Sequence, residues 1–374
     1  WQTGSIKTGT FTAVNGEGYF VNTSGGVSTA NLPAGSAGAI VSFSDYTRTF
    51  GTNTLTITPN GSEKIGGVAA SIYLSVNGQA LTLVYVDATE GWINIQNAED
   101  TEEGIVPAFI TATGGTITTV DTDYKVHTFT GPGTFTVCSV GNPVGSNSVD
   151  YMVVAGGGGA SGAYGGGAGA GGFREGYNPG SYTASPLATS ALPISATGYP
   201  ITVGAGGGSP GACSAGGING SNSIFSTITS TGGGGAGAGT TPASLPEGIG
   251  KPGGSGGGAG GYGPGTRPGG TGNTPSVSPP QGNNGGDTTS PGSGYSSAGG
   301  GGAGVAASPI TNPGAVGNDA SPGGNGVTSS ITGSPVARAG GGGGGIWNAA
   351  GGTAGTGGGG TGVRENVPSS PVTN

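Results

Sequence analysis

Aromatic residues lie among the glycine runs of the chain's second part, including Phe173, Tyr177, Tyr182, Tyr199, Tyr262, Tyr295 and Trp347. Tyrosine and tryptophan give rigid contact area with a polar tip, and loops carry recognition while a scaffold holds them. Tyr177, Tyr182, Tyr199, Tyr262, Tyr295 and Trp347 are therefore the candidate binding residues. Tyr177 and Tyr182 flank Asn178-Pro179-Gly180, which reads as an exposed turn. The competing reading of each ring is a hydrophobic lid on the glycine scaffold.

Groups able to do covalent chemistry are sparse. His127 is the one imidazole, on an expected strand in phase with Phe129. It reads as an ordinary strand residue, with an axial metal ligand in a trimer as the alternative. Asp121-Thr122-Asp123 and Glu99–Glu103 cluster carboxylates but lack calcium-loop spacing, so they read as solvated turns. Glycoside hydrolysis needs two carboxyl groups facing one sugar bond. After residue 150 the acids are only Glu175, Glu247, Asp287, Asp319 and Glu365, widely spaced. Gly167–Gly172 satisfies the dinucleotide-binding glycine spacing, but no helix-forming segment follows it. In Gly250-Lys251-Pro252, proline stands where a phosphate loop needs Ser or Thr. The chain is expected to be no enzyme, with neither cofactor nor metal.

The composition explains what must position the rings. Of 374 residues, 93 are Gly and 25 are Pro, the two worst helix formers. No significant α-helix is expected. Only 7% of residues are charged, which argues against ordinary disorder. The net charge of −8 makes nucleic acid an unsuitable partner. No apolar run reaches a membrane-spanning length. Cys138 and Cys213 are far apart and form no metal spacing. Trp1 without a leader pattern reads as the start of a fragment.

Three segments follow from the change in composition. Residues 1–98 read as a β-domain: Leu55 and Ile57 alternate with threonines, and Trp92, Ile93 and Ile95 form a strand. Two alternating runs flank Asn77-Gly78, a hairpin signal. Residues 99–148 read as an acidic linker plus a small β-unit, with strand, turn and strand from Tyr124 to Val140. Residues 149–374 hold 72 of the 93 glycines. There Tyr151–Val154, Ser221–Thr229 and Gly326–Thr332 each lead towards a glycine run.

Glycine runs have three readings. A flexible linker does not interleave apolar strands such as Tyr151–Val154 and Ile224–Ile228. Collagen needs glycine at every third position, a rule that Gly340–Gly345 breaks. The third is a sandwich of extended polyglycine helices with three residues per turn. It must be held by backbone hydrogen bonds and close main-chain contact, since almost no side chain is available. Interior positions would then be Gly, with Ala, Ser and Thr outward. The fold class expected is all-β: short antiparallel β-domains followed by this polyglycine sandwich.

Gly18–Gly26, Leu32-Pro33-Ala34, Asp45-Tyr46, Asn53–Thr58, Leu81–Asp87 and Gly91-Trp92 resemble a repeated β-domain of tail fibres of marine and cyanobacterial phages. Tyr151–Ala155, Ile201–Gly207 and Ser221–Ile228 before Gly232 resemble the glycine-rich domain of such fibres. That domain is similar in kind to the tip adhesin of some T-even-type phages, whose intervening loops bind the host receptor. Such domains often end in a hydrophobic strand, whereas Arg364–Pro368 leads to a polar end. The resemblance implies a virion tail-fibre protein, extracellular, binding a cell-surface glycan or outer-membrane protein. Its partners would be other virion tail proteins. The resemblance implies no nucleic acid and no membrane insertion. A homotrimer is expected on separate grounds: the short alternating strands of residues 1–150 offer little core to one chain, and association would cover their edges. A structural filament or sheath subunit and a capsule depolymerase are the alternatives.

Overall fold

Glycine and threonine are the commonest residues of the chain, and both are poor helix formers. The structure, a computed structural model, describes residues 1–96, 107–142, 144–162, 164–211, 214–239, 246–261, 265–289, 295–311, 320–347 and 350–365. Among these there is no helix, and the strands fall into several small sheets. The fold is all-β, as the composition predicts. Two units separate: Trp1–Ile110 with Val140–Asn147, and Thr111–Ser139 with Ser148–Asn374. Segment 99–148 is thus divided rather than forming a body of its own. The reason is a ladder: Gly133–Ser139 pairs antiparallel with Gly198–Thr202, deep in the second unit's sequence. The acidic stretch Glu99–Gly104 lies outside the described residues.

The first unit has eight strands: β1 (Thr10–Thr12), β2 (Glu17–Val21), β3 (Ser28–Asn31), β4 (Ile40–Asp45), β5 (Leu55–Thr58), β6 (Ile72–Leu74), β7 (Ala80–Asp87) and β8 (Gly91–Asn94). They form two four-stranded sheets, β1-β3-β5-β6 and β2-β4-β7-β8. Alternate residues of both sheets meet in one core that includes Tyr19, Phe43, Leu55, Leu74, Leu83 and Trp92. The hairpin expected at Asn77-Gly78 does not form, because β6 pairs with β5 while β7 pairs with β4 and β8. The turn carries the chain from one sheet to the other. Gly78 has φ +83°, and its N–H donates to the Asp45 carboxylate at 2.9 Å. Likewise Tyr124–Thr128 and Gly133–Ser139 turn around Gly131-Pro132 but join different sheets.

The second unit is built on glycine segments that run side by side as a lattice. Segment 254–261 shows the rule. Its residues 255–260 donate to three neighbours: Gly256 to Asn283 O and Ala259 to Gly286 O; Ser255 to Ala170 O and Gly258 to Gly167 O; Gly257 to Lys251 O and Gly260 to Gly248 O. It accepts from three more, through Gly234 and Gly237, Ala298 and Gly301, and Gly270. Bonds to any one neighbour recur every third residue, which is the repeat of the polyproline II helix. None of the glycines at 156–159, 232–235, 256–258, 299–302 or 340–345 has a φ in the left-handed region.

Close approach demands glycine. A Cβ built on Gly158 would lie 2.1 Å from Gly234 O, and one on Gly257 2.1 Å from Gly235 O. The expectation that Ala and Ser face outward is corrected. Ala236, Ala238, Ala259 and Ala298 are fully buried, as are Ser255 and Ser297. A methyl fits where the facing helix has none: a Cβ on Gly286 would lie 3.0 Å from the Ala298 methyl. Asparagine and aspartate continue the bonding at the lattice surface. Asn222 caps Gly232 N–H, Asn284 caps Gly272 N–H and Asp287 caps Gly269 N–H.

Candidate recognition surface

Hydrogen-bond registers fix the direction of each segment and so collect the chain reversals at the two ends of the lattice. Segment 156–159 runs antiparallel to 218–221, parallel to 233–236, and leads from the strand Tyr151–Val154. One end therefore carries the strands, including Phe173–Tyr177 and Gly198–Thr202. The opposite end carries Gly159, Gly261 and Ile346. The candidate tyrosines divide between these ends.

At the strand end, Tyr177 and Tyr182 meet edge to face, with ring centroids 5.9 Å apart. The turn between them is closed by Asp150. Its carboxylate accepts Asn178 N at 2.7 Å, Asn178 Nδ2 at 3.0 Å and Ser181 Oγ at 2.7 Å. Beneath lies Glu175, 1% exposed. It accepts the Tyr182 hydroxyl at 2.9 Å, Ser185 N–H at 2.9 Å and the Ser329 hydroxyl. Burial, and then the Glu175 charge, pushes the Tyr182 hydroxyl well above the ordinary tyrosine range. Burial lowers the pKa of Arg338, and Glu175 opposes that shift. Tyr182 is therefore a fixed ring, while Tyr177 borders the exposed Asn178-Pro179-Gly180 turn. Tyr199 belongs to a packing cluster with Phe135 and Phe225, at 6.5 and 6.0 Å. Its hydroxyl accepts Ser195 N–H at 2.8 Å. His127 packs on Phe135 at 5.0 Å and pairs through Nδ1 with Gly114 O.

At the opposite end, Tyr295 is exposed and its ring lies 5.4 Å from that of Tyr164. Tyr164 is buried, at φ +54°, and its carbonyl accepts the Ser297 hydroxyl. Ser296 bridges Ile346 antiparallel, so Trp347 stands opposite Tyr295 in register. Gly345 donates to Gly165 O at 2.9 Å, bringing the Tyr164 turn to the same place. Tyr262 lies outside the described residues. Arg267 is buried, its Nε without a partner among the described residues. Burial lowers its pKa. Among the described residues, no three His, Cys, Asp or Glu side chains come together.

A family model described as a glycine-rich domain matches residues 128–372, well over half of the chain. The chain belongs to this glycine-rich domain family. No curated protein matches the sequence. The matched span of the glycine-rich domain opens on Thr128, in the Tyr124–Thr128 strand, which the contacts also assign to the second unit. Sequence reasoning missed Tyr164, Asp150 and Glu175. Tyr164 carries the signature of Tyr262 and Tyr295, an aromatic ring at the border of a glycine run. Glu175 had no such signal, because its partners Ser185 and Ser329 are distant in sequence.

Proposed function

We propose that this glycine-rich domain protein is an attachment protein of the phage tail-fibre kind. It binds a host cell-surface glycan or outer-membrane protein without catalysing a reaction, and it acts outside the cell as part of the virion alongside other tail proteins. One observation supports the reading: a hydrogen-bonded main-chain solid presents the exposed Tyr295 ring, backed by the buried Tyr164, at the end facing away from the strands. A scaffold that loses no order on binding makes displayed loops effective at low entropic cost. Neutral aromatic and hydroxyl-rich loops suit sugar rings and outer-membrane protein loops alike.

The test is flow cytometry of the labelled full chain against a panel of bacterial hosts. Specific staining of some strains, lost with Tyr295→Ser and kept with Val27→Ser, supports attachment through this end. Absence of staining across the panel, with polymers growing from the purified protein, would favour a filament subunit. Clearing of capsule by the protein would favour a depolymerase.

A further inference from the structure

Between its ends, the outer face of the β2-β4-β7-β8 sheet carries no Asp, Glu, Lys or Arg side chain. Tyr19, Val21, Val41, Phe43, Leu81 and Leu83 turn into the core. Strand alternation therefore turns their neighbours outward. Pairing sets these in rows: Phe20, Ser44 and Ala80; then Gly18, Ser42 and Thr82; then Ile40, Val84 and Ile93. Ile95 extends the second row, its N–H on Thr82 O at 3.0 Å.

The Trp1 ring lies against the strand at Gly18, where a Cβ would come within 2.6 Å of it. Trp1 and Phe20 are 5.0 Å apart, and Phe20 and Tyr46 6.4 Å. Much of this surface is open to solvent: Trp1 is 60% exposed, Tyr46 55%, Val86 50% and Ile95 59%. Single exposed apolar side chains are ordinary, but a contiguous patch of them marks a contact surface.

Charge identifies the occupant. The chain carries −8, so copies repel except where acids are absent. The two ends of this face differ in charge, although Lys64 partly offsets the acids at one of them, its Nζ donating to Thr89 O at 3.0 Å. Arg48 is exposed beyond the end of β4, beside the Asn77-Gly78 turn. Asp87 and Glu90 are exposed at the β7–β8 turn, at the other end of the strands. Turning a second copy over, with its strands antiparallel, sets Arg48 of each against Asp87 and Glu90 of the other. Such self-complementarity is the mark of a two-fold, isologous contact.

The geometry points to self-association: this uncharged sheet face binds the same face of a second copy. The inference stands apart from the attachment reading, since it concerns the first unit alone.

Sedimentation equilibrium of the full chain at micromolar concentrations tests it. A two-copy species is expected. Ile95→Lys and Tyr46→Lys should each weaken association at least tenfold, and Val27→Lys, outside the face, should not. Arg48→Glu should weaken it, and adding Asp87→Lys with Glu90→Lys should restore it. Tryptophan fluorescence of the buried Trp92 reports that each variant is folded. A monomer at every concentration would overturn the pairing. So would a discrete trimer, or equal loss from Val27→Lys.

Discussion

Gly158 and Gly360 show how differently two glycines of one lattice are constrained. A Cβ on Gly158 would collide with Gly234 O at 2.1 Å, whereas one on Gly360 meets nothing within 4 Å. Gly158→Ala should therefore destabilise the second unit by about 1–3 kcal/mol, the usual cost of overpacking, and Gly360→Ala should be close to neutral. Thermal melting of both variants checks this. Burial, reinforced by the hydrogen bond to Glu17, pushes the Tyr19 hydroxyl up to about 12. The fold thus prefers the neutral phenol. The stability it gains is complete below the ordinary tyrosine pKa of about 10 and is lost as pH rises from there towards 12. Melting between pH 9 and 12 should show this loss in the first unit, and Tyr19→Phe should flatten it. The candidate rings were legible as residue types. Which of them are fixed, as Tyr182 is on Glu175, was not, because a bond across seven residues depends on how the intervening turn folds.

At the level of elements, apolar strands feed glycine runs as the sequence suggests. Tyr151–Val154 leads into 155–159 and Ile228–Ser230 into 232–238; the strand leading into 340–345 is Val336–Arg338, while the expected Gly326–Thr332 segment holds its antiparallel partner Val327–Ser329. Pairing partners were not legible. Asn77-Gly78 has hairpin chemistry, yet its flanking runs go to different sheets, one pairing with β5 and the other with β4 and β8. The Tyr177–Ser190 segment depends on one carboxylate for its shape. Glu175→Ala would leave the Tyr182 hydroxyl, Ser185 N–H and Ser329 hydroxyl without their acceptor. Each such buried loss costs about 1–3 kcal/mol. Hydrogen exchange at Ser185 should accelerate at least tenfold, and the Tyr182 hydroxyl should titrate nearer its ordinary value. Unchanged exchange would show that Glu175 does not anchor the segment.

Across the whole molecule, the second unit replaces a side-chain core with main-chain contact. Amide exchange should show it. Glycines of 232–238 and 254–261 are bonded on several sides, and they should be protected as a cooperative group together with the Tyr151–Val154 strand. Exchange at random-coil rates would contradict a hydrogen-bonded lattice. The sequence by itself determined that no helix forms and that glycine must be the main building material. Propensity and composition act locally, without reference to neighbours. It also determined the three-residue repeat, since bare backbone has few other ways to satisfy its hydrogen bonds. Only the tertiary structure decided which runs lie side by side, which alanines fit inside, and which aromatic residues share an end. Glycine segments are nearly interchangeable in sequence. Their order in the lattice is set by chain direction, register and the loops that join them, and no single segment records these.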